Sequence, residues 1–236
     1  PAKFHVPSSE FRVIGCGPGS RHGMFSPVSK SPLTRGLGRN VVGLGAASFF
    51  TDLAAEMITP LLPLFLKKEF RTGAATLGAI EGICDSAASL LRLVSGWLSD
   101  RLRKRKFLVF IGYSFSVVAR PLMSAVAAAW QAGALRLLDR IGKGIRLAPR
   151  DALIADSCEP QYRGKAFGLQ TMLDNLGGMT GMLVAAALVT AFAGDYRKIF
   201  LITVLPAFCV LLVVLFVVRD VPVRTPPAKL VVTLEP

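Results

Sequence analysis

Histidine is almost missing from this sequence: there are two among 236 residues, His5 and His22, both near its beginning. A histidine-based metal centre or a Ser/His/Asp nucleophile in the main body is thereby excluded. The four cysteines, Cys16, Cys84, Cys158 and Cys209, are too sparse and too far apart for a disulfide framework or a C-x-x-C metal site, and read as packing residues. A phosphate-cradling loop is also lacking. The run Gly142, Lys143, Gly144 has neither the upstream glycine nor the following Ser/Thr that such a loop needs, so an ATP-driven pump is unsupported. Acids are scarce, 15 against 28 basic residues, for a formal net charge of +13. No metal, no cofactor and no enzymatic activity are expected.

Apolar length is what the chain has in abundance. Hydrophobic residues make up 52% of it and charged residues 18%, with a mean hydropathy of +0.52. Such a chain can bury enough surface to offset its ordering entropy, which excludes overall disorder. The excess positive charge asks for an anionic partner, either nucleic acid or a lipid surface. Soluble nucleic-acid binders are rarely this basic and this apolar together, whereas a membrane protein with basic loops is both. The lipid bilayer, and no nucleic acid, is the expected partner.

Residues 1–38 are rich in proline, glycine and serine and carry Lys3, Arg12, Arg21, Lys30 and Arg35 against Glu10. They are expected to form a flexible basic tail, without the apolar core of a secretory signal. From Val41 on, six apolar stretches follow, each near the ~20 residues that cross a hydrocarbon core of ~30 Å as a helix. They run from Val41 to Leu66, Leu77 to Leu98, Phe107 to Ala128, Trp130 to Ala148, Ala166 to Ala193 and Ile199 to Val218. The expected fold is all-α: a polytopic integral membrane protein with six transmembrane helices in one bundle over residues 39–221, and a C-terminal tail over 222–236. Arg136, Asp139, Arg140, Lys143 and Arg146 crowd the fourth stretch, and hydropathy alone would make it an amphipathic surface helix. A five-span count, however, would put the two most basic flanks on opposite sides.

Lysine and arginine in short loops mark the cytoplasmic side. Six spans put 17 basic residues on the side of the termini and five, Lys67, Lys68, Arg71, Arg197 and Lys198, on the other. Both termini are therefore expected in the cytoplasm, with the excess charge against anionic headgroups. The remaining basic residues, Arg92, Arg120, Arg136, Arg140, Lys143 and Arg146, fall within spans, as do the acids Asp52, Glu56, Glu81, Asp85, Asp139 and Asp174. A charge at membrane depth costs at least ~2.5 kcal/mol on insertion scales unless paired or wetted. The equal numbers of each sign suit an internally paired bundle.

Three constellations stand out. Asp52 and Glu56, four apart on the first span, share a face, with Pro60 and Pro63 following as expected kinks. Glu81, Asp85 and Arg92 share a face of the second. Such acids could exchange protons, or could be static ion pairs. On the fourth span Arg136, Arg140 and Lys143 form a stripe that could hold an anionic substrate, tune the acids, or simply pair with them. Gly177 and Gly181 on the fifth span have the G-x-x-x-G spacing of a close helix seam, and Asp174 just before them is the polar candidate there.

The turn GWLSDRLRKRK, Gly96 to Lys106, resembles the signature between the second and third helices of the major facilitator superfamily, through Gly96, Asp100, Arg101, Lys104 and Arg105. Arg103 stands where that signature has its second glycine. DRIGKGIR, Asp139 to Arg146, resembles the family's fourth-helix signature, with Arg140 in the place of its embedded arginine. RGKAFGL looks like the entry to the fifth helix, and SFFTDLAAEMITPLLPLFL like the first helix of a bacterial efflux permease subgroup. The resemblance covers Arg39 to about Pro222 and implies the N-terminal half of a twelve-helix transporter.

It further implies a small-molecule substrate moved with protons, a bacterial inner-membrane location and a second six-helix half as partner. Asp52 and Glu56 would be the proton or cation sites, with Arg140 as their regulator. The loop from Asp100 to Arg105 would latch the halves together. Proton antiporters of the family often have Gly-Pro late in the fifth helix; here Met182 follows Gly181, which speaks against export. The tail after Arg219 is expected to be the start of a central loop cut short. The alternative reading is a non-transporting membrane fragment that needs a second half.

Overall fold

A computed structural model describes residues 37–102 and 104–221 of the chain. Most of the expected N-terminal tail and the whole C-terminal one therefore lie outside the described residues. Among the described residues the secondary structure is helical throughout: α1 (Arg39–Glu56), α2 (Leu61–Phe70), α3 (Ala74–Leu102), α4 (Arg105–Leu122), α5 (Ala129–Asp156), α6 (Arg163–Ala191), α7 (Tyr196–Ile202) and α8 (Val204–Phe216), with short 3₁₀ turns at Met123–Ala125 and Pro160–Tyr162.

Eight helices make six rods, because prolines interrupt two of them. Pro60 and Pro63 cannot donate to the carbonyls of Glu56 and Thr59, so α1 stops at Glu56 and the chain resumes as α2. Pro206 acts likewise on Ile202, at the junction of α7 and α8. Pro149 does not end α5. That helix runs eight residues past Ala148, the limit expected from hydropathy, and carries Arg150, Asp151 and Asp156 on it rather than in a loop. Similarly α3 extends beyond Leu98 and brings Asp100 and Arg101 onto a helix.

Four rods are long and apolar enough to cross a membrane: Arg39–Phe70, Arg105–Ala125, Pro160–Ala191 and Tyr196–Phe216. The other two, α3 and α5, are as long at 29 and 28 residues but heavily charged. α5 packs against α3 and α4, α1 packs against α6 and α8, and α4 joins the two groups through α8. The seams are built on small residues. A side chain at Gly177 or Gly181 of α6 would run into the Phe49 or Leu53 carbonyl of α1. One at Gly144 of α5 would meet the Ala88 carbonyl of α3 at 2.6 Å.

Two apolar clusters close the bundle at its ends. One contains Val41, Leu44, Val109, Leu153, Ile154, Val210 and Val214; the other Ile58, Leu62, Phe65, Met123, Ile199 and Phe200. At the second end Phe65 meets the Phe200 ring edge-on at 5.3 Å, and Arg197 donates to the Val126 carbonyl at 3.0 Å. There Gly194 has φ +76°, a conformation that suits glycine. Asp195 caps α7, and a hydrogen bond from Lys198 holds its carboxyl below the usual range. Large apolar side chains remain exposed on the outside, such as Leu93 (75%) and Trp97 (60%) on α3 and Leu183 (69%) on α6. An exposed apolar surface of this extent belongs in lipid or under a partner.

Candidate functional site

Between the two apolar clusters lies a layer of charge. Asp139, Lys143, Arg146 and Arg150 recur on α5 every three or four residues and so share one face, while Arg136 and Arg140 turn towards α3. Most of these charges are satisfied. Arg136 Nε lies 2.8 Å from Glu81, and Arg140 reaches Glu81 at 3.5 Å and Asp85 at 3.3 Å. Arg120 of α4 pairs with Asp139 at 3.2 Å and donates to the Thr51 carbonyl of α1 at 2.9 Å. The pair is almost fully buried and ties three rods together in mid-bundle.

Arg150 is a second hub. It contacts Asp151 at 3.0 Å and Asp174 at 3.7 Å, and donates to Ser48 Oγ at 2.9 Å. Asp174 also accepts from Gln170 at 2.8 Å, and Asp151 pairs with Arg92 at 3.4 Å. Glu81, Asp85 and Asp174 are thus held in salt bridges. The expected Glu81, Asp85, Arg92 face is split, its acids bound to α5 arginines and Arg92 to Asp151.

Among the described residues, Asp52, Glu56, Lys143 and Arg146 are the mid-bundle charges with no opposite charge within 4 Å. Asp52 and Glu56 are half-buried on α1, and Glu56 lies along Gly178 and Gly181 of α6. Asp52 interacts at longer range with Asp174, Arg146, Lys143 and Arg120. Arg146 is 4% exposed, donates to Ser116 Oγ at 2.9 Å and lies 4.8 Å from the Tyr113 ring centre. No group of three or more His, Cys, Asp or Glu among the described residues could hold a metal.

The loop signature lies at the end of the bundle where α3 meets α4. Gly96 faces Ala148 of α5 with room for a methyl at ordinary contact distance, and Arg101 stacks on Trp97 at 5.3 Å. Lys104 sits exposed before α4. Arg105 turns inward, forms a buried pair with Asp156, reaches Asp100 at 3.6 Å and donates to the Ala152 carbonyl at 2.9 Å. Asp156 is a functional candidate missed by reading the sequence, where it counts only as a loop charge. The signal is its place on the buried face of α5, in step with Arg146, Pro149 and Leu153.

A bundle of membrane-length helices with a charged interior layer is the architecture of a helical membrane transporter, and three comparisons agree. The family model described as Major Facilitator Superfamily matches residues 44–233, and the chain belongs to that family. An uncharacterised MFS-type transporter of Methanocaldococcus jannaschii is 34% identical over 184 residues, covering 78% of this chain and 46% of that protein. The multidrug resistance protein MdtG of Escherichia fergusonii is 29% identical over 169 residues, covering 70% and 40%.

Among solved structures, a bacterial homologue of the human lysosomal transporter Spinster, inward-facing and unoccupied, superposes with a TM-score of 0.65 at 16% identity, covering 86% of this chain and 47% of that one. The human organic anion transporter MFSD10 gives 0.56 at 20%, covering 77% and 48%. These two show the fold: an all-helical membrane-protein bundle that matches about half of each of those chains. The chain spans about half the length of the relatives it matches.

Proposed function

We propose that this chain is the N-terminal half of a proton-coupled secondary transporter that moves a small solute across a membrane. The observation that carries the reading is the contrast within the charge layer. Glu81, Asp85, Asp139 and Asp174 are engaged by arginines, whereas Asp52 and Glu56 on α1 have no cation within 4 Å and are available to exchange a proton or bind a cation. In this reading Asp52 and Glu56 carry the coupling ion. Arg136 and Arg140 hold Glu81 and Asp85 in place, and Arg150 holds Asp174 beside Asp52.

Gly96, Asp100, Arg101, Lys104 and Arg105, with Asp156, form the latch at the basic end. The 17-to-5 bias of lysine and arginine outside the expected spans supports cytoplasmic termini in a bacterial inner membrane. The similarity to a multidrug resistance protein supports efflux as the direction, against the missing Gly-Pro. In proteoliposomes holding this chain with its second half, solute flux should follow an imposed pH gradient, and Asp52→Asn should abolish that dependence. Flux indifferent to the gradient would sink proton coupling.

The competing reading is a chain that transports nothing alone and must pair with a second half. The uncovered apolar faces of α3 and α6, and the doubled length of the relatives, favour such a partner. Cross-linking to a separately expressed second half, with flux only in the pair, is the expected result.

A further inference from the structure

We propose that Lys143, backed by Arg146, is the subsite that takes the anionic group of the solute, and that this solute is an organic monoanion such as a carboxylate. The proposal rests on the transporter reading and names its substrate class.

It follows from elimination among the cations of the layer. Arg136 and Arg140 are occupied by Glu81 and Asp85, Arg120 by Asp139 and the Thr51 carbonyl, and Arg150 by Asp151, Asp174 and Ser48. Lys143 and Arg146 have no carboxylate within 4 Å among the described residues. They stand three apart on α5 and so project from the same face. Lys143 is half-buried and its ammonium donates to no described residue, leaving three N–H groups for a ligand. Arg146 lies deeper, fixed by Ser116 and the Tyr113 ring, where its charge is weakly screened. The Tyr113 hydroxyl beside it is buried without a hydrogen-bond partner.

The sign and number of charges select the ligand. Asp52 is the carboxylate common to the electrostatic surroundings of both cations that is not itself in a salt bridge. Glu56, the other unpaired acid, lies against α6 and is not among the principal electrostatic neighbours of either cation. Two cations therefore locally face one carboxylate, and a monoanion neutralises the remaining positive charge where a neutral or cationic solute does not. Asp52 then competes with the ligand for the same two cations, so its removal must strengthen binding.

The test is equilibrium dialysis of the detergent-purified chain with radiolabelled benzoate, and with benzamide as its uncharged counterpart. Saturable benzoate binding is expected, with none for benzamide. Lys143→Gln should weaken it at least about tenfold, since a charge-assisted contact in a shielded site is lost. Lys143→Arg should keep it within about threefold, and Asp52→Asn should tighten it several-fold, a gain that misfolding cannot mimic. Equal binding of benzamide, an unchanged Lys143→Gln variant, or weaker binding in Asp52→Asn would overturn the subsite. None of these readouts uses flux, so a transporter without proton coupling fails in the liposome assay alone, and a wrong subsite fails in dialysis alone.

Discussion

Arg120 and Asp139 form a salt bridge of 3.2 Å in the middle of the bundle, both nearly sealed from solvent, while another arm of the same guanidinium holds the Thr51 carbonyl of α1. Two charges at this depth are costly to insert singly and tolerable only together. Each is a structural partner of the other before it is anything else.

Removing one member should therefore be worse than removing both. Asp139→Leu or Arg120→Leu is expected to destabilise by about 3–5 kcal/mol, because an uncompensated buried charge remains. The double variant Arg120→Leu/Asp139→Leu should recover part of that loss. Thermal unfolding of the four proteins in one detergent gives the cycle; additive losses would argue against direct coupling.

At the basic end the two acids near Arg105 should differ sharply. Asp156 is buried against the guanidinium, and Asp156→Asn is expected to cost about 3 kcal/mol. Asp100 is 58% exposed and 3.6 Å away, so Asp100→Asn should cost no more than about 1 kcal/mol. Comparable melting temperatures for the two variants would contradict the geometry.

The α1–α6 seam should tolerate nothing larger than hydrogen. Gly177→Ala must push its methyl into the Phe49 carbonyl, and a loss of about 1–3 kcal/mol is expected. Gly168→Ala, on the same helix with nothing within 4 Å, serves as the control and should be neutral or stabilise by up to about 1 kcal/mol through helix propensity.

Asp52 and Glu81 should separate function from stability. Asp52→Asn breaks no salt bridge and should leave the melting temperature within a few degrees while abolishing gradient-dependent flux. Glu81→Gln leaves the buried Arg136 without a carboxylate and Arg140 with Asp85 alone, and should lower the melting temperature clearly. Both are read from one preparation by unfolding and by flux in liposomes.

Most of the six rods were legible in the sequence because ~20-residue apolar runs are local signals. The fourth, crowded by charge, is marked as a span by the balance of basic residues at its flanks. The glycine seam on α6 was legible too, since spacing alone places Gly177 and Gly181 on one face. The pairing of the charges was not. That Arg140 takes Glu81 and Asp85 while Lys143 takes neither depends on how α5 is rotated between α3 and α4, which no single helix encodes. Asp156 escaped for another reason: Pro149 and the charges around it look like a helix end. α5 continues because Arg105 holds both the Ala152 carbonyl and Asp156 at its last turn.

The two apolar clusters gather large buried side chains at either end of the rods, with the charge layer and its glycine seams between them. Within that layer the paired charges hold the rods to one another, so the positions that can change at least structural cost are those outside the salt bridges, such as Asp52 and Lys143. The groups that hold the helices in register are thereby distinct residues from those left free to change.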